Sequence, residues 1–390
     1  MTNWLRPLER VSPFAGVLLV LGGALLWVAA RLDTAWFDAH ILPNFFLPRE
    51  TQWTIAQGVR SGLALAGYAS LCFALPFIIG RRKGPSLLAI CAVAVAGLAA
   101  LLTSEAALHI PKWHALQARQ LLREPQRRPD PRLGWTHLPN HVGRAYVGGR
   151  WIDYAFDRHG YRVRDASTTT DWMAPSILFA GESVMLGDGL EWDETIPARV
   201  GADLGVQTAN LAVTGYSTDQ SLMRLRTDLP RFACPRGIVT IFMPSFLGRN
   251  LNTDRPHLDR ELQWHAPAIG SRLGALIRYA LGYGGATSIG NGIATTKAAL
   301  SASHTLGVNR GAWALTVVPV FLPESAAEWS IRRRALDGAG IDYVVVPLDP
   351  RSRIANNGHP DAHAAALIAS AIVTRVWREE KMEPKPCRPR

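Results

Sequence analysis

Ile177-Leu178-Phe179-Ala180-Gly181-Glu182-Ser183-Val184-Met185-Leu186-Gly187-Asp188-Gly189 is the stretch on which the reading of this chain turns. Four apolar residues run directly into Gly-Glu-Ser, and a second glycine turn follows. A short apolar run bounded by turn residues reads as a buried strand. Gly181 permits a sharp turn at its end. Ser183 then falls at the carboxyl end of a strand, where open α/β sheets place their ligands. A serine that merely caps a turn would give the same local pattern, so the rest of the chain has to decide.

Outward from this stretch the pattern is strand, turn, helix, repeated. Strands are expected at 176–180, 207–213, 237–243, 314–320 and 342–346. Helices are expected at 195–204, ending at Gly205, and from Ser217-Thr-Asp-Gln220, which has the capping-box spacing. Two more are expected at 324–338 and 361–378. Strands alternating with helices imply an α/β domain whose parallel sheet is covered on both faces. Upstream, 145–156 alternates enough for a short hairpin. The long excursion 251–310 holds an expected helix at 272–281 and two breakers, Gly282-Tyr-Gly-Gly and Gly290-Asn-Gly. It reads as an insertion that caps the site, the alternative being one that packs against the membrane portion.

With these elements in place, the quoted stretch resembles the nucleophile block of the SGNH (GDSL-type) hydrolases, which read Gly-Asp-Ser with a further glycine beyond. Glu182 stands where the family has Asp. Four other stretches are similar to family blocks. Gly134-Trp-Thr-His-Leu-Pro-Asn140 and Gly160-Tyr-Arg162 match the opening segment of a bacterial subgroup. Asn210-Leu-Ala-Val-Thr-Gly-Tyr216 matches the second block, and Gly358-His-Pro360 the last. The resemblance covers about 130–378 and implies a three-layer, flavodoxin-like fold.

Acyl transfer through serine needs a nucleophile, a base, a group that orients the base and donors for the oxyanion. The resemblance assigns Ser183 as nucleophile and His359 as base. It gives the backbone N–H of Gly215, with that of Ser183, to the oxyanion. The third block departs from the family, whose Asn side chain is an oxyanion donor. Here Phe242-Met-Pro-Ser245 follows the strand, so Ser245 or Asn250 has to stand in. The last block also departs. Asn356 or Asn357 occupies the place of the orienting Asp, and Asp361 fits a helix cap.

The first third of the chain is different. Stretches 11–30, 61–80 and 84–104 carry no charge and have about the 20 residues a helix needs to cross a bilayer. Residues 1–123 therefore read as a membrane anchor with three transmembrane helices, and 124–390 as the second domain. The proline-rich, charged run from Glu124 to Arg132 reads as a linker between them. Arg81-Arg82-Lys83 fill the tight turn between the second and third helices, and Arg6 and Arg10 precede the first. The positive-inside tendency puts both on the cytoplasmic side and the second domain outside, in the periplasm of a bacterial inner-membrane protein.

The net charge of +11 reads as scattered solvated arginines, or as a patch for an acidic glycan or phospholipid; no nucleic-acid-binding module accompanies it, and part of the charge flanks the apolar stretches. No Cys/His spacing suggests a metal, and no cofactor is expected. Cys234 and Cys387 lie outside the apolar stretches, where an oxidising compartment would let them pair. The expected function is a membrane-anchored, extracytoplasmic esterase or O-acyltransferase. Membrane-tethered members of the resembling family imply an acylated cell-surface or exported glycan as substrate and a membrane acyltransferase as partner. Two other readings stay open. One is a catalytically weak scaffold or glycan-binding component of an envelope polysaccharide machine, and the other is a lipid esterase.

Overall fold

A computed structural model describes residues 12–79, 84–109, 121–268 and 270–378. Arg6, Arg10, the Arg81–Lys83 turn and Cys387 lie outside them. Contacts divide the chain into two units.

The first unit holds, of the described residues, 12–41, 47–79, 84–109 and 271–283. Its helices are α1 (Pro13–Arg31), α2 (Thr34–His40), α3 (Arg49–Ile78) and α4 (Leu87–Leu108), with the further helix Arg272–Leu281. α1, α3 and α4 are long and apolar enough to cross a membrane. α3 has 30 residues and starts twelve before the expected stretch, because the mixed polar and apolar run Arg49–Arg60 continues the helix. α1 and α3 pack through glycines. A Cβ on Gly22 would meet Gly67 O at 2.9 Å, and a Cβ on Gly67 would meet Leu26 at 2.8 Å. Small residues at a crossing let two backbones approach, which is how membrane helices gain packing without a hydrophobic driving force. Cys72 and Cys91, in α3 and α4, are free thiols.

The second unit holds residues 42–46, 121–268, 270 and 284–378. Its strands begin with a two-stranded ribbon, β1 (Arg127–Asp130) and β2 (Gly134–His137). The large sheet is built from β3 (His141–Val147), β4 (Arg150–Phe156), β5 (Arg162–Val163), β6 (Ser176–Ala180), β7 (Gln207–Asn210) and β8 (Pro235–Ile241). After a small ribbon, β9 (His257–Leu258) with β10 (Trp264–His265), it is completed by β11 (Trp313–Phe321) and β12 (Tyr343–Leu348). The sheet order is β12-β11-β8-β6-β7-β5-β4-β3. The five strands from β12 to β7 are parallel, and β5, β4 and β3 add on antiparallel. Counted within the parallel set, that order is 2-1-3-4-5, the flavodoxin-like arrangement. β6, the strand before Ser183, is the first of the set and lies between the second and third. That is the position where the crossovers part and a crevice opens.

The helices of this unit are α5 (Ser183–Leu186), α6 (Ile196–Leu204), α7 (Thr218–Asp228), α8 (Ala286–Asn309), α9 (Ala326–Leu336) and α10 (Ala362–Arg378). The expected signals set several of their ends. Gly205 closes α6 with φ +61, and Ser217 with Gln220 forms a capping box at α7. β6 is buried along its whole length, as its unbroken apolar run requires. The core on one side of the sheet joins Ile177, Phe179, Val239 and Val317 to Ile196, Ile368 and Ile372.

Three expectations are corrected. The run read as a linker enters the second unit, because Arg127–Asp130 pairs with β2. Gly290-Asn-Gly292 does not break a helix but lies inside α8, a helix of 24 residues. Close packing outweighs propensity there: a Cβ on Gly292 would run into the Leu251 side chain. Finally, α8 is no cap. It packs against β8 and β11 as part of a covering layer, with Ile293 and Leu300 buried beside Val318 and Leu336.

Candidate active site

The turn at Ser183 is built from its carbonyls outward. β6 ends at Ala180, and Gly181 cannot carry a Cβ because one would sit 2.5 Å from Ile241 and 2.7 Å from Met185. Ser183 is the first residue of α5, so no helical carbonyl lies within reach of its N–H. The last carbonyls of this short helix are held by two buried side chains. Arg162 donates through Nη1 to Leu186 O (3.0 Å) and Gly187 O (2.6 Å), and through Nη2 to Leu190 O (2.5 Å). Asn210 Nδ2 donates to Leu186 O at 3.2 Å. Burying a guanidinium is costly, and a ring of carbonyls with the Tyr154 face (4.5 Å) offsets that cost.

His359 arrives from the loop between β12 and α10. Its Nε2 lies 2.8 Å from Ser183 Oγ. Its Nδ1 lies 2.5 Å from Asn357 Oδ1, which also accepts from the His359 N–H at 3.2 Å. An amide oxygen only accepts, so Nδ1 carries the proton and Nε2 of the neutral ring presents its lone pair to the serine. Burial lowers the His359 pKa below its ordinary value. Asp188 and Glu182 act against that shift, while Arg249 and Arg353 add to it. Burial thus favours the neutral ring, the form that can accept a proton from a serine hydroxyl.

Glu182 is the unexpected neighbour. Its Oε2 accepts from Ser183 Oγ at 2.8 Å and from Val184 N–H at 2.9 Å. Its Oε1 is buried without a hydrogen-bond partner, and Arg249 Nη1 lies 3.6 Å from Oε2. Ser183 thus has one hydroxyl proton and two acceptors at the same distance.

Gly215 has φ +86 in the turn that follows β7. The carbonyl of the preceding Thr214 accepts from Trp135 Nε1 (2.9 Å) and Arg127 Nη1 (3.3 Å). In a trans peptide the C=O and the next N–H point opposite ways, so these two bonds set the direction of the Gly215 N–H. Asp188 receives the Tyr154 hydroxyl at 3.1 Å.

The other expected residues divide. Asn250 is committed elsewhere. It accepts from Thr218 N–H and donates to the hydroxyls of Thr218 and Thr296, which removes it as a stand-in oxyanion donor. Ser245 lines a small cavity with Phe45, Pro319 and Arg353. Asn356 is an exposed turn residue at φ +57, so of the two asparagines only Asn357 reaches the ring. Asp361 caps α10, accepting from Ala364 N–H at 2.8 Å. Cys234 is buried and disulfide-bonded. Among the described residues no three His, Cys, Asp or Glu side chains converge as metal ligands would. Sequence reasoning gave no role to Arg162, Trp135, Arg127 or Phe45. The first two stand in motifs quoted above, and nothing local marks what they hold.

The class that this fold and this serine–histidine pair resemble is that of the SGNH hydrolases. No protein-family model and no curated protein matches the chain. Solved structures similar to it include a G-D-S-L family protein from Desulfitobacterium hafniense DCB-2. It is 9% identical with a TM-score of 0.33, covering 51% of this chain and 98% of that one. Another is the acetyl xylan esterase Est2A from the rumen bacterium Butyrivibrio proteoclasticus, at 8% identity and a TM-score of 0.34, covering 55% and 66%. A third, the salicylyl-acyltransferase SsfX3 of a tetracycline biosynthetic pathway, is 14% identical with a TM-score of 0.30, covering 57% and 58%.

Proposed function

We propose that this protein is a membrane-anchored serine esterase or O-acyltransferase. The observation that carries the reading is the 2.8 Å contact between Ser183 Oγ and a His359 ring whose tautomer is set by Asn357. Ser183 Oγ attacks the ester carbonyl carbon while its proton passes to His359 Nε2. The imidazolium then returns that proton to the departing alkoxide, leaving an acyl-serine. Water, or a sugar hydroxyl, deprotonated by the same nitrogen, takes the acyl group and restores the serine. The N–H groups of Ser183 and Gly215 serve the oxyanion. An acylated cell-surface or exported glycan is the substrate class, with the catalytic unit in the periplasm and a membrane acyltransferase as acyl source.

The full chain in detergent should react with a fluorophosphonate probe at Ser183. Labelling should vanish in Ser183→Ala and slow by roughly 10²-fold or more in His359→Ala. A folded wild type that takes no label would favour the second reading, a scaffold or glycan-binding component. The asparagine in place of an orienting acid is the observation behind that alternative.

A further inference from the structure

The segment Leu42–Phe46 belongs to the second unit, although in sequence it lies between α2 and α3 of the first. Leu42 is buried with Phe242 and Leu247, and its Cδ1 would lie 3.3 Å from a Cβ on Gly248. Phe45 is 5% exposed. Its ring centroid is 4.6 Å from that of Phe246, 6.1 Å from Phe321 and 5.7 Å from His359. Arg353 ties this segment to the histidine loop. Its guanidinium lies over Phe321 (3.6 Å) and Phe45 (4.7 Å). One nitrogen, Nη1, donates to both Phe45 O (3.1 Å) and Gly358 O (2.6 Å). A single cation thus joins the backbone at position 45 to the residue before His359.

Phe46 is different in kind. Its N–H is held by Asn44 Oδ1 at 2.8 Å, and its ring stands edge-on to His359 at 5.7 Å. A Cβ on Gly358, which has φ +82, would approach that ring to 3.0 Å. Yet Phe46 remains 56% exposed, a large apolar surface left open beside the base. In the proposed reaction the imidazolium gives its proton to the departing alkoxide, so a ring beside the imidazole flanks the alcohol side of the ester.

We infer that Asn44–Phe46 forms a wall of the Ser183–His359 site: Phe46 contacts the alcohol portion of the substrate, and Phe45, through Arg353, positions the His359 loop. This rests on the esterase or acyltransferase reading above. The alcohol it favours presents an apolar face to an aromatic ring, as the C–H face of an acetylated pyranose does. A small aliphatic alcohol presents none.

The test compares ethyl acetate with an acetylated methyl pyranoside on the full chain in detergent. Phe46→Ala should raise KM for the sugar ester about three- to tenfold, as loss of one aromatic contact does, and lower kcat/KM for the sugar ester more than for ethyl acetate. Phe45→Ala should lower kcat on both esters with little change in KM, and Phe45→Tyr should restore most of it. Equal changes on both esters in Phe46→Ala would overturn the role of Phe46. Wild-type kcat in a folded Phe45→Ala protein would overturn that of Phe45. Fluorophosphonate labelling separates the two levels. A wild type labelled at Ser183 with an unaltered ester ratio in Phe46→Ala sinks only the wall, whereas an unlabelled wild type sinks the reading beneath it.

Discussion

Asn357 is the side chain that meets the far nitrogen of the His359 ring. Its Oδ1 holds Nδ1 of His359 at 2.5 Å and so selects the tautomer, but an amide brings no charge to stabilise the imidazolium. In a serine triad, exchanging that Asp for Asn costs about 10⁴ in turnover. Asn357→Asp should therefore raise p-nitrophenyl acetate turnover by roughly tenfold or more, and the gain should disappear in the Ser183→Ala background. The pH profile gives a second readout. Burial holds the His359 pKa down, so the neutral base persists below the ordinary histidine range in the wild type. A carboxylate at 357 favours the charged ring, so the acid limb of kcat/KM should move to higher pH. A variant with an unchanged rate and an unmoved limb would remove Asn357 from the mechanism. Glu182 acts on the other side of the serine. A carboxylate is the stronger acceptor, so it draws the hydroxyl proton away from His359. Glu182→Gln should react with a fluorophosphonate about three- to tenfold faster, and a slower reaction in a folded variant would show that the charge assists instead.

At the scale of elements, the α1–α3 crossing is the sharpest packing constraint in the first unit. Gly22 and Gly67 face each other with no room for a Cβ on either. Gly67→Val puts a β-branched side chain against Leu26 and the Gly22 carbonyl. It should cost about 1–3 kcal/mol, the range for overpacking, seen as a lower midpoint of thermal aggregation in detergent. Gly23, with open space around it, is the control, and Gly23→Val should leave the midpoint unchanged. An equal effect at both positions would mean helix propensity rather than packing. In the second unit the elements around Ser183 show the same dependence on distant partners. α5 is a helix of four residues, too short to be stable alone. Arg162 from β5 and Asn210 from β7 hold its carbonyl end.

At the scale of the whole molecule, sidedness decides which substrates can reach the second unit. The three long apolar helices mark the chain as one suited to a membrane, and their charged flanks carry the expectation of sidedness. A reporter active only in the periplasm, fused after Arg390, should be on. A silent reporter, with a fluorescent cytoplasmic fusion at the same point, would place the second unit inside and overturn the proposal of an exported glycan as substrate.

The sequence by itself determined the layered α/β class, because strand and helix periods alternate cleanly from Ser176 onward and local signals such as Gly205 and Ser217-x-x-Gln220 mark the ends. It also singled out Ser183 and His359, each within a recognisable block, and three stretches long and apolar enough to span a bilayer. That Oγ and Nε2 stand 2.8 Å apart is a matter of tertiary structure, since strand order brings together loops 176 residues distant. So are the choice of Asn357 over Asn356, the removal of Asn250, and the growth of the sheet to eight strands through β5. Gly290-Asn-Gly292 shows the reason. Propensity there spoke for a break, but a helix face pressed against Leu251 is available only once the chain has folded. Leu42–Phe46 shows it again, because nothing local in those residues tells which distant loop their side chains will meet.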